Sequence, residues 1–302
     1  MIDLRSAVCA RISRARHVFA LLTLFLLLPA HAAPALWEVS APGGGRVWLF
    51  GSVHLCSQQC YPMPDAVRQA FDASPALALE LDPTAPHTAA RVLERGVYAP
   101  DDALDRHLDP AFAANLLDRL SKLGLDRDAL LRMRAWLIAQ LITVASAEQA
   151  GYQLEQGIDV WFLGQARSAG KTVLELETPD EQIDSMDGLP DSAQQAMLRQ
   201  GLLYLDPARM KREMSRLVSA WQRGDVDQLA SLIRAETSVD PDTEKVFESV
   251  LTRRNGVMAE RIAAYLASGR QVFVVVGAAH LSGRADILVR LAAMGYQVRR
   301  AN

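Results

Sequence analysis

Histidine and cysteine are scarce in this chain: six and three among 302 residues. There is no H-E-x-x-H helix, so the ordinary zinc-protease arrangement is excluded. Neither G-x-x-x-x-G-K-[ST] nor G-x-G-x-x-G occurs, and "PGGGR" reads as a turn, so no nucleotide-phosphate loop is present. Ser52 lies near a histidine in "GSVHL", but that is not the G-x-S-x-G elbow of a serine hydrolase. No basic excess exists either, with 32 Lys and Arg against 35 Asp and Glu. That balance argues against nucleic acid and against an anionic membrane surface as partners.

Long apolar runs are missing except at the start. Arg5, Arg11, Arg14 and Arg16 precede "VFALLTLFLLLPA" and an Ala-x-Ala site at 30–32. That pattern predicts a signal peptide over residues 1–32, cleaved after Ala32. Its apolar core is short of the ~20 residues that span a bilayer. The expected product is an exported, periplasmic or extracellular protein with no transmembrane segment, more acidic than the whole chain because four arginines leave with the leader. Cys56 and Cys60 then remain. In an oxidising compartment two close cysteines pair, which predicts a disulfide stiffening the loop after His54.

The apolar patterning predicts an α/β fold: a central mixed β-sheet flanked by helices, in one domain over 33–302. "LWEVS" and "RVWLF" read as a hairpin, and "PALALELD" (75–82) as a further strand after the helix "MPDAVRQAFDAS". A helical insertion or cap is expected over about 100–168. It includes one long helix across "DRDALLRMRAWLIAQLITVASAEQAG" and a third at "GIDVWFLGQARSAG". The chain closes on strand, helix, strand: "QVFVVVG", "RADILVRLAAMG", "YQVRR".

Past the leader four histidines remain. His87 and His107 fall in polar, proline-flanked segments and are expected to be exposed. The other two each follow a buried strand as G-x-x-H: Gly51 to His54 and Gly277 to His280. In open α/β sheets ligands collect where strands end and loops converge. The glycines let the backbone turn sharply or approach a ligand closely. Strand-end carboxylates are costly to bury unpaired, which singles out Glu80 in "LALELD" and Glu177 in "TVLELET"; Asp82 and Glu175 are left as ordinary strand-end acids. Two imidazoles with carboxylates suit a divalent transition metal, Mn, Zn, Co or Fe, without choosing among them.

These motifs resemble those of the TraB/GumN family, which includes the PrgY and Tiki proteins. The likeness runs from "LWEVSAPGGGRVWLFGSVHL" through "LALELD", "GIDVWFLGQARSAGKTVLELETPDEQI", "SAWQRGD" and "TRRNGVMAERIA" to "VFVVVGAAHLSG". The resemblance implies a fold like the erythromycin-esterase and ChaN-like group, and metal-dependent peptidase activity. Carried over by position, it places metal ligands at His54, Glu80 and His280. Catalytic roles fall on Glu177 and Arg254, and substrate contacts on Asn255 and Asp159, the latter in "GID". The expected function is thus an exported metal-dependent hydrolase acting on a peptide or protein. The alternative is a non-catalytic protein of the cell envelope that binds peptide or polysaccharide.

Overall fold

A computed structural model describes residues 33–237 and 240–301; the leader over 1–32 lies outside them. Six strands form one mixed sheet in the order β4-β3-β5-β2-β1-β6. They are β1 Leu36–Ser40, β2 Arg46–Ser52, β3 Ala76–Leu79, β4 Thr172–Glu175, β5 Gln271–Gly277 and β6 Gln297–Arg300. β1 and β2 pair antiparallel as the expected hairpin, and Gly44 adopts a φ of 96° in its turn. The four strands β4, β3, β5 and β2 run parallel to one another. Their carboxyl ends therefore share one edge.

β5 reads "QVFVVVG" because it is covered on both faces, as parallel strands are. Phe273 and Val275 pack with Phe50, Leu77 and the helices Asp65–Asp72, Ile158–Ser168 and Pro207–Gln222. Val272, Val274 and Val276 face Val47, Leu49 and the helices Arg254–Ala267 and Ile287–Ala293. The helices leading into β3 and β4 thus lie on one face together with Pro207–Gln222 from the connection into β5, whose last helix, Arg254–Ala267, lies on the other with Ile287–Ala293. Phe50, Phe71, Phe162 and Phe273 pack ring to ring, with centroids 5.0–6.2 Å apart. Each such pair adds about 0.5–1.5 kcal/mol beyond its buried area.

A second core lies apart from the sheet. Leu104, Leu116, Leu117, Leu120, Ile138, Ile142, Leu198 and Leu202 join the helices Pro110–Ser121, Arg127–Arg132, Ala135–Gln149 and Asp191–Tyr204. This helical cap differs from the insertion expected over 100–168. The helix Ile158–Ser168 packs on the sheet through Phe162 and Leu163, while Asp191–Tyr204 joins the cap. The single long helix expected from residue 126 onward is two helices. At the break Met133 is extended and bridges Val97, and the Tyr98 and Arg134 amides donate to the Arg132 and Gly96 carbonyls at 2.8 Å. Strand-like pairing to 96–98 outcompetes helix propensity there. β3 also ends at Leu79, short of the expected 82, because the chain turns there so that the Glu80 carboxylate can reach β5. Among the described residues no helix is long and apolar enough to cross a membrane.

Candidate functional site

All four parallel strands deliver a polar residue just past their carboxyl ends. β2 leads to His54, β3 to Glu80, β4 to Glu177, and β5 to the short 3₁₀ turn Ala278–Leu281 that carries His280. The two histidines, 226 positions apart in the chain, come together on Glu80. His54 Nε2 lies 3.9 Å and His280 Nε2 3.7 Å from the same oxygen, Oε1. That oxygen accepts the Gly277 amide at 2.6 Å.

Glycine is required at both G-x-x-H motifs for room, not for a left-handed backbone, since neither Gly51 nor Gly277 has positive φ. A Cβ on Gly277 would come within 3.1 Å of His54 Nε2 and 3.3 Å of Glu80 Oε1. One on Gly51 would meet Ala278 at 3.1 Å, where β2 and β5 lie side by side.

The other nitrogen of each imidazole is held from behind. His280 Nδ1 lies 2.6 Å from Asn255 Oδ1. Asn255 donates its amide Nδ2 to the Ala285 carbonyl at 3.0 Å, which fixes the oxygen toward the ring. His280 Nδ1 therefore carries the hydrogen and Nε2 offers a lone pair. His54 Nδ1 lies 3.3 Å from Asp159 Oδ2. The "GID" segment serves that contact in three ways. Gly157 lets the helix start pass the His54 carbonyl, which a Cβ would meet at 2.4 Å. The Ile158 amide donates to the Val53 carbonyl at 3.1 Å. Asp159, in the first helical turn, reaches the ring. Asp159 and Asn255, expected to contact substrate, thus each orient an imidazole, a duty that spacing alone did not reveal.

Arg254 and Glu177 complete the buried side. The guanidinium donates through Nη2 to Glu80 Oε2 at 2.6 Å. It also donates through Nε to both oxygens of Glu177, at 2.9 and 3.1 Å, and through Nη1 to the Val250 carbonyl at 3.1 Å. Arg254 follows a π-helical turn, Glu248–Arg253, a feature that often marks functional sites. There it brings two consecutive residues, Arg254 and Asn255, to the sheet edge. Arg254 and Glu177, to which the resemblance gives catalytic roles, are tied to each other, and Arg254 also to Glu80.

Burial and charge divide the group. Desolvation opposes ionisation of Glu80, but the neighbouring His280, Arg254 and His54 and the Gly277 amide hold its pKa far below the usual range. Burial raises that of Glu177 despite Arg254. Burial lowers the pKa of His280 to about 4 against the pull of Glu80. For His54 desolvation acts downward, but Asp159 and Glu80 prevail and raise it to about 9.

Cys56 and Cys60 are joined, with Cα atoms 6.4 Å apart, in the loop after His54. Of the remaining histidines, His87 is exposed as expected. His107 is not free: it stacks on Tyr98, centroids 4.8 Å apart, and pairs with Asp102 at 2.9 Å and Asp191 at 3.4 Å.

Among the described residues no group of three His, Cys, Asp or Glu side chains has the spacing of a finished metal site. Neighbouring ligands of a tetrahedral ion held at 2.0–2.2 Å lie about 3.3–3.6 Å apart, and both gaps to Glu80 Oε1 are wider. The donor types and their tautomers do suit such an ion, with both Nε2 atoms turned to one carboxylate oxygen and both Nδ1 atoms held by oxygen acceptors. Backing by an oxygen acceptor is the usual arrangement behind metal-ligating histidines.

Comparison with known proteins adds the following. The family model described as the TraB/PrgY/gumN family matches residues 35–300. A protein of Escherichia coli (strain K12) described as "Uncharacterized protein YbaP" is 25% identical over 264 residues, covering 84% of this chain and 90% of that one. Its namesake in Shigella flexneri matches to the same extent. No solved structure matches significantly.

Proposed function

We propose a hydrolytic function, and its premise is membership: the chain belongs to the TraB/PrgY/gumN family. In this reading the protein is an exported metal-dependent hydrolase acting on peptides. His54, His280 and Glu80 would hold a divalent transition cation, the imidazoles through the Nε2 atoms that face the Glu80 carboxylate. Such an ion, with a position left open, lowers the pKa of bound water toward ~7 and so supplies hydroxide at neutral pH.

The observation that carries the reading is that two imidazoles, each held at Nδ1, turn Nε2 toward one carboxylate oxygen. Charge supports it. The carboxyl groups of Glu80, Glu177 and Asp159 outnumber the single guanidinium of Arg254, and a cation would take the place of the proton that His54, with its pKa raised to about 9, holds there. Closing the wider gap to about 3.4 Å takes roughly half an ångström of movement, which the half-exposed His54 can supply, and the His280 gap needs less.

Arg254 keeps Glu80 ionised and occupies Oε2, leaving Oε1 for the ion. Glu177 acts through Arg254, which it neutralises and orients. Asp159 and Asn255 fix the two tautomers. Substrate enters past His54, the exposed member of the set.

A second reading, a cleft that binds peptide or saccharide without an ion, draws on the wide spacing of the donors. Elemental analysis of protein purified without chelator separates the two. The hydrolase reading expects near-stoichiometric Mn, Zn, Co or Fe, and turnover of a peptide library that His280→Ala abolishes together with the metal. Substoichiometric metal in the wild type, or full metal in a His54→Ala/His280→Ala protein, refutes it.

A further inference from the structure

The cysteine pair lies outside the ionisable cluster yet borders its open side. We propose that Cys56 and Cys60, once oxidised, are the positioning residues that hold His54 in register for a cation, so the site is complete only in the disulfide form. This rests on the hydrolase reading above.

His54 sits on a segment zipped to the start of the "GID" helix. Before it, the Val53 carbonyl accepts the Ile158 amide at 3.1 Å. After it, Cys56 and Gln153 exchange both backbone bonds, at 3.2 and 2.7 Å. Farther on, the Tyr61 hydroxyl donates to the Gln156 carbonyl at 2.9 Å. Residues 53–61 thus lie along 152–158, and the partner segment delivers Asp159 to His54.

The disulfide closes residues 56–60 into a ring inside this zipped stretch. It removes the freedom by which a short loop would peel away, carrying His54 with it. His280 needs no such brace. It is buried on a turn directly after β5 and fixed by Asn255.

Both cysteines are buried, Cys56 fully and Cys60 to 5% exposure, in the same core as Ile158 and Phe162. Two consequences follow. Reduced thiols would still pack as small apolar groups, so the fold should survive without the bond. The formed bond is shielded from attacking thiolates, so oxidation is a one-way assembly step and not a toggle. In that step the two thiols lose two protons and two electrons to the disulfide of a thiol–disulfide oxidoreductase. The S–S bond forms here, and the oxidant leaves as a dithiol. A chain not yet oxidised would hold the Glu80–His280 half and lack an aligned His54.

The test compares the oxidised protein with protein reduced by dithiothreitol in denaturant and refolded under reducing conditions, and with a Cys56→Ala/Cys60→Ala variant. Mn2+, a poor thiol binder, is the probe in calorimetry, and amide hydrogen exchange is followed by mass spectrometry. The expected result is Mn2+ binding about 10–100-fold weaker without the bond, the scale of losing a ligand's support. Exchange should quicken over 53–61 and 152–158 but not in β5. Equal Mn2+ affinity in all three forms overturns the proposal, as does quickened exchange throughout the molecule. If the oxidised protein binds no cation, the hydrolase reading fails instead. The exchange pattern alone then decides the brace, and unaltered exchange over 53–61 and 152–158 refutes it.

Discussion

The candidate site has two unlike halves. Glu80, Glu177, Arg254, Asn255 and His280 are each at most 9% exposed. His54 has a side chain 51% exposed and is backed by Asp159 at 16%. The closed half is made of partners 25, 77 and 174 positions apart, so it forms only when the whole sheet does. The open half hangs on two short adjacent loops. The first should be coupled to stability, because its charges are desolvated and mutually paired. The second should be coupled to ligand affinity, because water already reaches it.

The sharpest way to break this contrast is to remove the charge at the centre of the closed half. Arg254→Met leaves Glu80 and Glu177 buried beside each other without their shared cation. Removing one partner of a buried ion pair costs about 3–5 kcal/mol, and urea unfolding should register a loss of that size. His54→Ala should cost within about 1 kcal/mol, as exposed substitutions do, while abolishing cation binding. Equal destabilisation by the two would erase the distinction between the halves.

The residues behind the imidazoles sharpen it further. Asn255→Ala strands the buried His280 Nδ1–H, at a cost of about 1–3 kcal/mol. Asp159→Ala removes a carboxylate whose ring partner, His54, is half exposed, and should lower the unfolding midpoint less than Asn255→Ala does. Both should weaken cation binding about 10–100-fold. Only the affinity effect is shared, and a fall in stability for Asp159→Ala of the Asn255→Ala size would contradict the division.

How much of this was legible in the sequence follows the same line. Two G-x-x-H motifs after apolar runs, and a glutamate closing a short strand, were enough to bring His54, Glu80 and His280 to one edge, because strand ends in a parallel sheet have few places to go. Asp159 and Asn255 were visible only as polar residues at helix starts, where a helix dipole explains an acid equally well. Their true partners lie across long loops, and no local period encodes such pairs. Arg254 follows the same pattern: the resemblance marks it as catalytic, and its pairing with two carboxylates appears only in the fold. The break at Met133 was hidden because helix propensity over 127–149 is strong on both sides, and only a bridge to Val97 overrides it.

Acidity should pull the two halves in opposite directions in chelator-treated protein. His280 is kept neutral, its pKa lowered to about 4 from an ordinary ~6.5. The unfolded chain takes up that proton first, so this contribution is present above pH ~6.5 and is lost as pH falls toward 4. Glu80 acts in the same direction lower down, since its ionised form is held in the fold and its stabilisation is lost below the ordinary carboxylate range. His54 is opposite. Its pKa is raised to about 9, so its contribution, kept small by the water that reaches the half-exposed ring, is full below pH ~6.5 and disappears as pH rises through 9. Unfolding free energies of His280→Gln should flatten the acid limb, and those of His54→Gln the alkaline one. A swap of limbs would reverse the assignment of the halves.

The smallest expected effect comes from the cap and serves as the control for that pH argument. His107 resembles His54 in carrying a raised pKa: desolvation acts downward, and the hydrogen bond and charge of Asp102, with Asp191 beyond, overcome it. By the same sign rule its contribution is present below pH ~6.5 and fades as pH rises. It belongs to no ligand set, however; it stacks on Tyr98, whose other close partner is the Arg134 guanidinium, 4.9 Å from the ring centroid. Ion pairs that water still reaches, as it does this one, contribute little. His107→Gln should therefore lower the melting temperature by about 2 °C or less near neutral pH and leave Mn2+ affinity untouched. If it weakened Mn2+ binding as His54→Gln does, the histidine pH slopes would report general charge on the protein and not the open half of the site.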